Sequence, residues 1–329
     1  MSGPIVAEPR TGRQHALAVG QALFVTFLWS TSWVLIKIGL DDLDLQPLSF
    51  AGLRYALAAL VLAPFGARAI RAAHAETAVG ARLWLRMALY GLLFIAVAQG
   101  AQFAALAVLP ATAVNLVLSS IPAVVALMAL AGGSERARPA QAGGIGLLVL
   151  GAFLYFGPFE LGPGAPIGLL AAGICVLASG VSAHLGRGLA RDVIARLGGP
   201  IGLTAASMGI GAVALLATGL LVEGWPELTA GGWLIIGWLA VVNTAFAFTL
   251  WNHTLRTLTA VESSVVANTM AIQIAVLAIV FLGEQLGALQ LLGLVLAALG
   301  ALVVQLGTIP RRLRRPGPPR SLPSSEGPR

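Results

Sequence analysis

Charged residues make up only 10% of this 329-residue chain, while 58% of it is hydrophobic. A soluble globular domain is about 25% charged, so this chain cannot cover a soluble surface and reads as a polytopic membrane protein. The single cysteine, Cys175, excludes an internal disulfide. It has no partner among the four scattered histidines, so no metal-ligand spacing exists and no metal or cofactor is expected. The chain lacks a Walker loop, a G-x-S-x-G elbow, an H-E-x-x-H pair and paired buried carboxylates. An ATP-driven pump and the common hydrolases are therefore not expected, and no enzyme activity is assigned.

Long apolar runs are what the chain does have. With about 20 residues as the length that crosses the hydrocarbon core, ten spans are predicted. They lie near 17–39, 48–66, 85–108, 111–131, 140–157, 166–186, 200–222, 233–254, 260–282 and 288–307. The segment before the first span has no small-residue cleavage site, so that span reads as a retained helix. Every basic residue except Lys37 and Arg54 falls in alternate connecting segments or the tails; the remaining loops, such as DDLDLQP and GPFELGPGAP, contain none. By the positive-inside rule both termini are cytoplasmic. Arginine dominates over the one lysine, and alanine and glycine are enriched. That composition resembles a GC-rich bacterial genome and makes a bacterial cytoplasmic (inner) membrane the expected location. The last segment, PRRLRRPGPPRSLPSSEGPR, reads as a disordered basic tail held against anionic lipid rather than nucleic acid.

The chain also repeats itself. A constant offset carries Glu135 onto Glu284, Gln141 onto Gln290, Gly144 onto Gly293, Gly151 onto Gly300, Ser30 onto Ser179 and Gly39 onto Gly188. Five spans per repeat is an odd number, so the two copies lie upside down relative to one another. The expected fold is thus an all-α polytopic membrane protein with ten transmembrane helices as two inverted five-helix repeats. Residues 1–16 form a cytoplasmic tail, 17–158 and 166–307 the repeats, and 308–329 the basic tail. Inverted repeats are the signature of alternating access around a site near the midplane, which points to a secondary transporter.

Several segments support a family resemblance. FLWSTSWVLIKIGL with PLSFAGLRYALAALVLAPF resembles the opening of the drug/metabolite transporter superfamily, specifically its EamA-type permeases. HTLRTLTAVESSVVANT and VFLGEQLGALQLLGLVLAALGALVV resemble the end of the same family, so the likeness runs over roughly residues 20–305. It implies two five-helix bundles, a central cavity lined by the first four helices of each, a peripheral fifth helix, and export of metabolites, amino acids or drugs. One departure stands out. The family often carries a Pro early in the ninth helix, but Ala271 stands here at the place matching Pro122 of the first half.

The polar residues within spans are the candidate substrate contacts. On the first span Thr26, Ser30, Trp33 and Lys37 share one helical face, with Trp29 close to it. The offset gives Cys175, Ser179, Ser182 and Gly186 on the sixth. Thr269 and Gln273 follow Glu262 on the ninth span, Gln99 and Gln102 lie in the third, Asn115 and Ser119 in the fourth, and Asn243 and Thr244 in the eighth. Each hydroxyl or amide can equally pair across helices, at roughly 0.6 kcal/mol. The substrate set is therefore Trp29, Ser30, Trp33, Arg54, Gln99, Gln102, Asn115, Ser119, Ser179, Ser182, Asn243, Thr244, Thr269 and Gln273.

Among charges, Arg54 lies about 10 Å into the second span at 1.5 Å per residue, at an insertion cost of about 2.5–3.5 kcal/mol unless partnered. Its partner is either the Asp41, Asp42 and Asp44 loop or an anionic group of the substrate. Glu262, one turn into the ninth span, is either a proton-coupling group or a first-turn anion. Glu135 and Glu284, each just before a fifth helix, read as structural caps for the free amides that open that helix. The expected partners are a small-molecule substrate and the bilayer, not nucleic acid, with a monomer as the expected assembly. The competing reading is an intramembrane enzyme or assembly subunit acting on lipid-linked substrates. That reading needs a catalytic cluster in one half, whereas these polar positions are balanced between halves.

Overall fold

In a computed structural model of the chain, the structure describes residues 12–74, 80–131, 138–157, 164–193 and 199–308. Ten apolar helices are long enough to cross a membrane: α1 Gly12–Asp41, α2 Pro47–Ala72, α3 Ala81–Val108, α4 Ala111–Ala131, α5 Pro139–Phe156, α6 Ala165–Leu189, α7 Pro200–Val222, α8 Ala230–Thr254, α9 Val261–Leu282 and α10 Ala288–Gly307. No strand occurs among the described residues. The rim where α1 begins and α10 ends is termed the terminal rim, and the opposite one the distal rim. α1 and α2 extend past the expected spans at the terminal rim, carrying Arg13, Arg68 and Arg71 on helical turns. Backbone bonding does not stop where the apolar run stops, and long arginines reach the headgroups from such turns. Outward faces are apolar, with Leu60, Phe153, Leu170, Val213 and Phe281 exposed as lipid-facing side chains.

Two antiparallel seams hold the halves together, α5 against α10 and α2 against α7. In the first, the glycines of the repeat meet each other. A methyl added at Gly151 would lie 2.5 Å from the Gly293 carbonyl oxygen, and one at Gly300 would lie 2.6 Å from that of Gly144. The repeat exchanges Gly144 with Gly293 and Gly151 with Gly300, so the two contacts are images of one another. Small residues let membrane helices approach backbone to backbone, where dispersion does the holding that the hydrophobic effect cannot do in lipid. The second seam works alike: a methyl at Gly52 would meet Leu216 Cα at 2.5 Å, and one at Gly219 would meet Ser49 N at 2.6 Å. The other neighbours obey the same exchange, α1 packing on α9 as α6 packs on α4, and α3 on α6 as α8 on α1.

Two helices depart from α geometry at equivalent places. α3 widens to i→i+5 bonding over Leu92–Gln99 and α8 over Val241–Phe246. The repeat offset carries Leu92 onto Val241. α4 breaks at Ser119 and Ser120, between Ala111–Leu118 and Ile121–Ala131. The cause is Pro122, which lacks a donor and crowds the carbonyl of Leu118. α9 has Ala271 at the matching place and runs unbroken.

Candidate substrate cavity

The α4 break, the α1 tryptophans and the widened segment of α3 surround one cavity of about 460 Å³, within the range of small-molecule sites. Of the expected substrate contacts, Trp29, Trp33, Arg54, Gln99, Gln102, Asn115 and Ser119 line it. The lining reaches from Asn115, in the second turn of α4 by the distal rim, to Gln305 at the end of α10 by the terminal rim. The cavity therefore spans much of the depth between the two rims.

Arg54 is the charged residue of the lining and is 5% exposed. Its Nε donates to Thr244 Oγ1 at 3.1 Å, and its guanidinium carbon lies 5.1 Å from the Tyr55 ring and 5.9 Å from that of Phe103. Thr244 is free to accept because the widened turn of α8 lets its own hydroxyl donate five residues back, to Leu239 O at 2.8 Å. Of the two partners weighed for Arg54, the acidic loop is not joined to it by an ion pair among the described residues: Asp41 is held at 2.8 Å by Lys37, one turn back on the same helix, and Arg54 lines the cavity from α2. Tyr55 donates to Gln99 Oε1 at 2.7 Å. Trp29 lies 5.3 Å from the rings of both Phe248 and Trp251, and its buried indole N–H has no partner.

The other expected contacts lie outside the lining. Ser30, Thr269 and Gln273 join α1 to α9: Ser30 donates to Gln273 Oε1 at 3.0 Å, and Gln273 Nε2 donates to Thr269 at 3.1 Å and Thr26 at 3.3 Å. Asn243 donates to Leu28 O and, at 3.2 Å, to Thr31, fastening α8 to α1. Ser182 donates to Ala178 O at 2.6 Å, and Ser179 lies 3.9 Å from Cys175 Sγ within α6. These are polar ties within and between helices. A helical wheel shows that residues share a face, not whether that face meets a cavity or a neighbour.

Tyr55, Phe94, Phe248, Asn268 and Gln305 line the cavity without having been among the expected contacts. Gln305 carried a signal, an amide near the end of an otherwise apolar run. α6 and α7 contribute nothing to the lining while α10 contributes Ala301 and Gln305. The implied cavity, built from four helices of each half with a peripheral fifth, is corrected accordingly. α6 packs instead against α3 and α4.

Carboxylates control the two rims differently. Glu284 accepts from the Ala111 N–H at 2.6 Å, the Thr112 N–H at 3.2 Å and the Thr112 hydroxyl at 2.5 Å. It is a cap, but of α4 in the other half rather than of α10, because Gly283 at φ +66° ends α9 with a left-handed turn. Glu223 does the same for α2, accepting from the Leu48 N–H at 2.9 Å and the Ser49 N–H at 2.7 Å. On the terminal rim Glu262 stays with its own helix, accepting from Thr259 N–H at 2.8 Å while Thr259 Oγ1 accepts from the Glu262 N–H at 3.3 Å. His15 Nε2 sits 3.1 Å from its carboxylate. Glu135, the basic tail from residue 309 onward and the N-terminal tail to residue 11 lie outside the described residues.

Comparison with known proteins adds three findings. The model of the EamA-like transporter family matches residues 16–157 and again 166–306. Twelve chains of solved structures match in fold. One of them, a crystal structure of a protein given no further description, aligns over 93% of this chain and 100% of its own at a TM-score of 0.55 and 20% identity, which is a likeness of fold alone. A comparison with curated proteins returns no match.

Proposed function

Because this chain belongs to the EamA-like transporter family, we propose that it is a secondary-active, alternating-access transporter exporting a small metabolite, amino-acid-like solute or drug. The membrane in this reading is the bacterial cytoplasmic one, with both termini in the cytoplasm, so the terminal rim faces the solute to be exported. The observation that carries the reading is one cavity between two related halves, with a distal rim fastened by carboxylates of one half on helix starts of the other. Glu223 and Glu284, both in the second half, grip the helices of the first half that bear Arg54 and Asn115. On the terminal rim the ties between halves are made by side chains: Glu262 meets His15, in the first turn of α1, at 3.1 Å, and Arg138 Nη1 donates to Gly307 O at the end of α10. Two related halves joined by glycine seams and fastened at their rims by bonds from side chains and helix ends suit a rocking mechanism. Release on the distal side then needs the two latches to open.

Counterflow in proteoliposomes against a panel of amino acids, nucleosides and cationic drugs tests this. Exchange of at least one solute is expected. Failure of every solute, together with a lipid-modifying activity of the purified protein, would replace the transporter with an intramembrane enzyme.

A further inference from the structure

Resting on the transport reading, we infer that the solute is an organic anion: one acidic group, carboxylate or sulfonate, on an apolar, ring-sized body. The cavity has one fixed charge, the Arg54 guanidinium, and no aspartate or glutamate among its lining residues. Ion pairs elsewhere among the described residues use Lys37 with Asp41 and His15 with Glu262, so neither acid is available to Arg54. Thr244 anchors only the Nε edge of the guanidinium. The two Nη groups, the edge that grips a planar acid through two parallel bonds, make no hydrogen bond to the protein. A cation built into the membrane interior without a protein counter-charge is completed by one that arrives with the ligand.

Neighbouring groups point the same way. The Tyr55 hydroxyl occupies Gln99 Oε1, which leaves the amide N–H groups of Gln99 unbonded. A donor that faces a cavity without a protein partner is satisfied by a ligand oxygen. Arg54 and Gln99 therefore offer donors to one cavity, while Trp29, its indole N–H fully buried, contributes aromatic wall. The rest of the wall, Trp33, Phe94, Phe248, Met270 and Ile274, is apolar and suits a flat hydrocarbon body. A cationic solute would meet Arg54 with nothing to offset the repulsion.

The test is a charge series on one scaffold, titrated onto the full-length protein in lipid nanodiscs and read by calorimetry: benzenesulfonate, benzenesulfonamide and benzyltrimethylammonium. Benzenesulfonate is expected to bind at least tenfold more tightly than either of the others. Arg54→Gln should abolish that preference, with a monodisperse size-exclusion peak reporting that the variant is folded; Arg54→Lys should restore part of the preference. Equal affinity of the native protein for all three probes overturns the inference, whatever the variants do. So does an Arg54→Gln variant that keeps the preference. Counterflow of labelled benzenesulfonate separates the two readings. Binding without exchange would keep the anion site and sink transport, whereas exchange confined to neutral or cationic solutes would keep transport and sink the anion.

Discussion

At the distal rim, carboxylates of one half accept from backbone amides that open helices of the other; at the terminal rim, the carboxylate of Glu262 caps its own helix and meets the other half through the His15 side chain. Glu262 is not the repeat image of either latch: the offset carries Ala113 onto it, and the image of Glu284 is Glu135, which lies outside the described residues. Glu284 and Glu223 each sit beside a glycine with positive φ, Gly283 at +66° and Gly224 at +81°, which turns the chain sharply enough to aim the carboxylate across the interface. Glu262 follows Thr259 in an ordinary capping box and has no such turn. What the comparison teaches is that the latches are built from helix ends and loops, which can let go, while the seams are built from backbone contact, which cannot.

The largest effect is expected where both rims depend on the same element. Gly151→Leu pushes a side chain into the Gly293 backbone and should cost about 3 kcal/mol, seen as loss of a monodisperse peak in size-exclusion chromatography. A variant that stays intact would show that the α5–α10 seam is not the shared hinge.

Next comes Glu284→Gln, which keeps the shape but loses the charge from three hydrogen bonds. At about 2 kcal/mol for bonds of this type, distal opening should rise by about thirtyfold. Spin labels at Asp42 and Gln285 would report it as a longer distance gaining population. Glu223→Gln loses two backbone bonds and should open the same rim by less, about 1.5 kcal/mol. If it opened the rim further than Glu284→Gln, the latch on α2 rather than that on α4 would be the stronger.

The smallest effect belongs to Glu262→Gln, about 1 kcal/mol on the start of α9, with distal distances unchanged and any dependence of uptake on a pH gradient retained. Loss of that dependence would assign Glu262 to proton coupling.

Much of this architecture is legible in the residues. The ten spans follow from apolar run length, and the repeat from Glu135, Glu284 and the paired glycines. Half of the expected contacts line the cavity: Trp29, Trp33, Arg54, Gln99 and Gln102, then Asn115 and Ser119 beside the proline break, whereas Gln273 joins α1 to α9. Small hydroxyls such as Ser30 and Ser182 fit as readily between helices as against a solute, and here they pack. The widened turns of α3 and α8 have no local signature, since they come from how a helix accommodates its neighbours. The partner of Glu284 was out of reach for a different reason: it lies in the other half of the chain.

The central claim is that the cavity is reached from the terminal rim while the distal rim is latched. The most direct measurement places a single cysteine in the cavity, Ser119→Cys in a Cys175→Ala background, and treats sealed vesicles of each orientation with a membrane-impermeant maleimide. Reaction is expected from the side carrying the termini and none from the other until Glu223 and Glu284 are both changed to glutamine. Equal or faster reaction from the distal side in the unlatched and latched proteins alike would contradict that claim.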